Sequence, residues 1–298
     1  MVSSARIYVD VILNHMTGAN RNHTGTAGTP YTYKNCSYPG VPYGPGEFHT
    51  RESCGSASGS IEDYKNARQV RNCELVGLRD LDQSKKYVRE KMVELMNKLI
   101  RLGVAGFRMD AAKHMWPKDL KKIFAKLDDL TTEFFPQHTR PFIYQEVIDM
   151  DTGDAVTRWQ YQGLGRVTEF LYGAKLGAVL RKRTGMLLKY VRNFGEGWGF
   201  LPGGDALIFI DNHDNQRTGG ADILTFFDSR LYKMAVAFML AWPYGLPRVM
   251  SSYRWPRYFR EGRDINAWIG PPSDEAWRIK PVVRQRDDTC GNGWVCEH

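Results

Sequence analysis

Residues 82–110, DQSKKYVREKMVELMNKLIRLGVAGFRMD, decide the fold. Val88, Met92, Leu95, Met96, Leu99 and Leu102 recur at helical spacing, with Asp82 or Ser84 as a start and Gly103 as a stop. Val104–Met109 then forms a short apolar run, the pattern of a buried strand, and it ends on Asp110. Helix, glycine, strand and strand-end acid in direct succession describe one βα unit of a parallel sheet. The same pattern continues outward. Ile7–Ile12 reads as a strand, and so do Phe142–Gln145 before Glu146, Arg166–Phe170, Ala206–Ile210 before Asp211, and Arg248–Ser251. Helices are expected over about 117–127, with proline in the first turn, and over 187–193 and 229–241. This α/β alternation has no internal repeat. A (β/α)₈ barrel needs eight strands, so the first two are expected to precede residue 1. The polar stretch from Met16 to Gly77 is too long for a simple connection and reads as an inserted subdomain.

The bulk properties exclude several classes. The 298 residues carry a formal charge of +8, but Lys and Arg are interspersed with Asp and Glu. The densest basic run, Arg181-Lys182-Arg183, lacks the interleaved aromatics of a single-strand platform, so no nucleic-acid partner is expected. No uncharged apolar run has membrane length. Cys54 with Cys73, and Cys290 with Cys296, have spacings that suit loop-closing disulfides rather than a zinc site. Cys36 is left over, its partner expected upstream. Asn22-His23-Thr24 and Asn35-Cys36-Ser37 are glycosylation acceptors in a secreted chain. These features favour an oxidising compartment. Met1-Val2-Ser3-Ser4 has no apolar core, so either the protein is cytosolic or its start is expected before this residue.

Asp110, Glu146 and the Asp211/Asp214 pair each follow an apolar strand closely. In a barrel such strand ends gather on one face. Converging carboxylates there suit glycoside hydrolysis, in which one attacks or stabilises the anomeric carbon and another protonates the leaving oxygen. Helix capping explains one such aspartate, but not three strands ending this way beside Arg108, Lys113, His114 and His213.

Four segments carry a specific resemblance. Asp10-Val11-Ile12-Leu13-Asn14-His15, Gly106 to His114, Tyr144-Gln145-Glu146-Val147-Ile148 and Phe209 to Arg217 resemble, in order, the four signature regions of α-amylases. Arg248 to Tyr253 and Cys290 to His298 are similar to the animal, chloride-dependent branch. The resemblance implies a TIM barrel with an inserted calcium-binding subdomain after the third strand. Residues 1–15 would hold that strand, 16–80 the insertion and 81–298 the rest of the barrel, a C-terminal β-sandwich being absent. It implies Asp110 as nucleophile, Glu146 as acid/base and Asp214 as transition-state stabiliser. Asp10, His15, Arg108, Lys113, His114 and His213 would bind sugar. Asn14 and Asp80 side chains, with the Arg71 and His114 carbonyls, would hold calcium. Arg108, Asn212 and Arg248 would hold chloride.

The implied activity is retaining endo-hydrolysis of α-1,4-glucosidic bonds in starch, glycogen and malto-oligosaccharides by a secreted protein, monomeric when complete. Proteinaceous amylase inhibitors are the other implied partners. A related α-glucosidase or transglycosylase would share the three carboxylates, and a catalytically silent binding subunit would have no need to keep them. The short Thr-Gly-Gly-Ala-Asp link after Arg217 departs from relatives with a Gly-His-rich loop there, as in several insect-type enzymes.

Overall fold

The computed structural model describes residues 5–18, 23–220, 222–287 and 289–296. Asn22 and residues 1–4 lie outside that set. The chain divides into two compact units, Met1–Thr168 and Glu169–His298.

The first unit is built on a parallel sheet. Strand β1 (Tyr8–Val11) opens it, and the antiparallel pair β2 (His15–Gly18) and β3 (Leu78–Asp80) lies at the two ends of the long polar segment. Within that segment, helices α1 (Arg51–Cys54) and α2 (Ala67–Asn72) are tied by the Cys54–Cys73 disulfide. Cys36 is a free thiol.

Helix α3 (Lys86–Arg101) follows and stops where Gly103 takes a φ of 95°. Its buried stripe is Val88, Met92, Met96 and Ile100, a four-residue repeat packed toward α4 (Pro117–Phe124), which buries Leu120 and Ile123. The expected stripe was broader: Leu95 and Leu102 are 47% and 71% exposed in this chain. A 3.6-residue repeat puts both on the flank of the stripe rather than its centre. Strands β4 (Gly106–Met109), β5 (Phe142–Gln145) and β6 (Arg166–Thr168) complete the sheet in the order β1–β4–β5–β6, all parallel. Each strand lies beside the one from the preceding βα unit. Gly106 permits this spacing, because a β-carbon there would lie 2.3 Å from the Phe142 carbonyl oxygen.

In the second unit, helix α5 (Phe170–Leu180) begins where the sequence reading had continued a strand to Phe170. Gly173 and Gly177 hid this helix, since glycine weakens helix propensity. They are needed for close packing: a β-carbon on either would lie 2.2 Å or less from a carbonyl oxygen, of Ile210 or Asp222. Residues Leu188–Asn193 form a 3₁₀ segment instead of the expected α-helix. Strand β7 (Ala206–Ile208) pairs in parallel with β8 (Leu246–Pro247), after helices α6 (Asn215–Thr218) and α7 (Ser229–Ala241). The last strand therefore lies before Arg248–Ser251, although the Arg248 amide still donates to the Ile208 carbonyl at 2.8 Å. Cys290–Cys296 is bonded. No helix among the described residues is long and apolar enough to cross a membrane.

Candidate active site

The sheet register of the first unit brings its strand-end residues together. Asp10 pairs with Arg108 across β1 and β4, and Arg108 with Tyr144 across β4 and β5. The ladder continues past the strands: the Asp110 amide donates to the Val11 carbonyl, and the Glu146 amide to the Met109 carbonyl. Phe107 and Met109 point into the core with no exposure, which turns Arg108 to the opposite face.

Arg108 is the hub of that face. Its Nη1 donates to Asp10 at 2.7 Å and to Asp110 Oδ1 at 2.7 Å, while Nη2 meets Glu146 Oε1 at 2.8 Å. Burial disfavours its charge, yet the carboxylates, Glu146 foremost, hold the guanidinium above its usual pKa. The two central acids differ in environment. The Asp110 side chain is 22% exposed and that of Glu146 is 9% exposed. Glu146 Oε2 also accepts from the Ala111 amide at 2.8 Å, a bond aimed by the left-handed backbone of Ala111 (φ 49°). Burial holds the His15 ring below its usual pKa, against the opposing pull of the Asp110 carboxylate.

Lys113 and His114 follow on a short 3₁₀ turn and are both buried. Lys113 Nζ donates to Asp154 at 2.6 Å and to the Ile148 carbonyl at 2.7 Å, and lies 5.3 Å over the Tyr64 ring. His114 Nδ1 sits 2.8 Å from the Val70 carbonyl, and burial pushes the ring down to about 4, leaving it neutral. Tyr161 ties this turn to the acid strand. Its hydroxyl lies 2.9 Å from both the Lys113 and Met115 carbonyls, which share its one hydrogen, and its own carbonyl accepts from Gln145. Sequence reasoning assigned no role to Asp154, Tyr64 or Tyr161. The acidic spacing Asp149, Asp151, Asp154 after Glu146 was the available signal.

A second polar cluster lies between β1 and β3. Asn14 is fully buried and Asp80 is 3% exposed, and the Oδ1 atom of each has no hydrogen-bond partner. Burial pushes Asp80 up to about 7, although His49 bonds its other oxygen at 2.6 Å. Two buried oxygens, one on this carboxylate and one on the Asn14 amide, are left with unused acceptor capacity, although His49, raised against burial to about 9 by Asp80 and Asp82, faces the other carboxylate oxygen. Oxygen donors of this kind suit a hard cation. No group of three His, Cys, Asp or Glu side chains among the described residues could hold a metal, so a cation here must also use amide and main-chain oxygens.

In the second unit the two acids after β7 separate. Asp211 is 2% exposed and accepts from Tyr232 Oη at 2.8 Å and Gln216 Nε2 at 2.7 Å, a packing role. Asp214 has a 53% exposed side chain, with His213 Nε2 at 3.5 Å. Asn212 Oδ1 accepts from the amides of Asp214 and Asn215, which fixes the turn that presents Asp214.

No family model matches the chain. Pancreatic alpha-amylase from Homo sapiens is 56% identical over 98% of this chain, and that from Struthio camelus 55% over 98%. The chain spans 58% of the human protein and 60% of the ostrich one. Among solved structures, alpha-amylase I from Eisenia fetida superposes with a TM-score of 0.92 at 53% identity, covering 98% of this chain and 58% of that one. A mutant of the same earthworm enzyme, solved in complex with maltohexaose, gives 0.91 at 52%. A cyclomaltodextrin glucanotransferase at 20% identity and a TM-score of 0.60 shares the fold alone.

Proposed function

We propose, for a chain that belongs to the animal α-amylase family over 98% of its length, retaining endo-hydrolysis of α-1,4-glucosidic bonds in starch, glycogen and malto-oligosaccharides. The observation that carries this reading is the single buried guanidinium of Arg108 shared by Asp110 and Glu146. Retaining enzymes need nucleophile and acid/base carboxyls about 5–5.5 Å apart, and a shared guanidinium supports such a pairing.

The more exposed Asp110 attacks the anomeric carbon and forms a covalent glycosyl-enzyme. Glu146 gives its proton to the departing glycosidic oxygen, then takes one from the water that releases the sugar. Asp214 stabilises the oxocarbenium-like transition state, and Asp10, His15, Arg108, Lys113, His114 and His213 contact sugar. The strands belong to a (β/α)₈ barrel, and residues 16–80 are its inserted subdomain. The protein is secreted.

Calcium fits the Asn14–Asp80 cluster, with Arg71 and His114 supplying main-chain oxygens. When bound, it would satisfy the two orphaned oxygens and tie α2 to the sheet. Chloride is assigned to Arg108, Asn212 and Arg248, a set made of two guanidiniums and an amide whose oxygen is already committed to main-chain donors. An anion beside Arg108 would favour the protonated form of Glu146.

The test is Glu146→Gln in the full-length protein. Starch turnover should fall by about 10²–10⁴ while starch binding persists. Near-normal turnover would remove Glu146 from this role. A dye-linked starch digest of the unmodified protein separates the neighbouring readings. Mixed short oligomers support endo-cleavage, glucose alone an α-glucosidase, and no product a binding subunit.

A further inference from the structure

We propose that Arg158 is a positioning residue for the acid/base, acting through Asp149 and Asp151 on the segment that immediately follows Glu146. This rests on the amylase reading above.

Between the end of β5 and a 3₁₀ turn at Arg158–Tyr161 the chain is irregular, so no ladder holds it. Side chains hold it instead. The Arg158 side chain is 1% exposed and that of Asp149 3%. Arg158 grips both ends of an acidic bend: its amide and Nη1 each donate to Asp149 Oδ2 at 3.0 Å, and Nη1 also reaches Asp151 Oδ1 at 2.7 Å. Asp151 takes a left-handed backbone (φ 55°), and its amide donates to Asp149 Oδ1 at 3.0 Å. The bend is thus closed from both sides around one buried cation.

A buried ion pair is a poor source of stability, because desolvation offsets most of the attraction. Its value here is geometric. Two other ties act on the same stretch: Val147 donates to Thr168 Oγ1 at 2.9 Å, and the Ile148 carbonyl accepts from Lys113 at 2.7 Å. Residues 147, 148 and 149 are therefore anchored in succession, directly after the carboxylate that accepts from Arg108 and the Ala111 amide. Releasing the third anchor frees residue 149 and leaves only the Thr168 and Lys113 ties on the stretch, so Glu146 loses part of the support on its C-terminal side. The predicted consequence is specific to proton transfer, since Asp110 is carried by a different strand.

The experiment compares two substrates in the full-length protein: a malto-oligosaccharide, whose sugar leaving group needs protonation, and an aryl malto-oligoside, whose phenolate leaves without it. Arg158→Met should lower kcat/KM on the first by about 10–100-fold, the scale of a displacement near 1 Å. On the second it should change kcat/KM, which reports the first displacement alone and so omits the water-activating role of Glu146, by less than about threefold. Arg158→Lys should recover part of the loss. Asp151→Asn removes the exposed partner and repeats the comparison should Arg158→Met fail to fold. Equal losses on both substrates, or no loss on either, would overturn the positioning role. If the unmodified protein cleaves neither substrate, the amylase reading itself fails, which is a distinct result.

Discussion

Arg108 shows how one residue determines what its neighbours can do. Three carboxylates converge on its guanidinium, so its removal would leave like charges facing each other in a partly buried cluster. Asp211 shows the opposite case. Burial pushes it up to about 6 from 3.8, although Gln216 and Tyr232 donate to it. Because the folded state holds this proton more tightly than the unfolded state, the group's contribution is full below about pH 4 and is lost as pH rises through 6. A shift of about two units corresponds to roughly 3 kcal/mol. Asp211→Asn should therefore flatten the dependence: wild type loses stability relative to the variant between pH 4 and 7. Parallel melting temperatures across that range would contradict the assignment. The motif containing Asp211 and Asp214 was plain in the sequence, but which acid was buried was not. Only packing against Tyr232, 21 positions later, separates them.

At the level of elements, the reading succeeded where period and punctuation agreed. Helix α7 spans 229–241 as read, and β5 has the expected bounds. It failed where close packing overrode propensity. The glycines of α5 masked a helix, and Leu95 and Leu102 looked like core although the stripe is carried by Met92, Met96 and Ile100. This difference is measurable. Met96→Ala removes a side chain with no exposure and should cost about 2–5 kcal/mol. Leu95→Ala, at a half-exposed position, should cost well under half of that. Equal shifts of the denaturation midpoint would mean that α3 is rotated about its axis. The loop after Glu146 was the least legible part, because its order comes from ion pairs rather than from any periodic pattern.

At the scale of the whole molecule, the calcium proposal is the one with consequences for stability. Asn14 lies just past β1 and Asp80 ends β3, so a cation between them would join the two ends of a 65-residue excursion, residues 15–79. An ion that binds only the native state stabilises it by mass action. Chelation should lower the melting temperature, and Asp80→Ala should lower it by a similar amount and abolish the further effect of chelator. An unchanged melt in a preparation verified to be metal-free would count against the site. The orphaned oxygens of Asn14 and Asp80 had no spacing signature, so the sequence could suggest this site only through resemblance.

The central claim is that Asp110 attacks carbon while Glu146 handles the proton, and the stereochemistry of the first product reports on it directly. The full-length protein should be mixed with a malto-oligosaccharide, and the anomeric proton signals of the new reducing ends followed by NMR before mutarotation. Two displacements at the same carbon predict that the α-anomer appears first and decays toward equilibrium. First appearance of the β-anomer would mean a single displacement by water and would contradict the role given to Asp110.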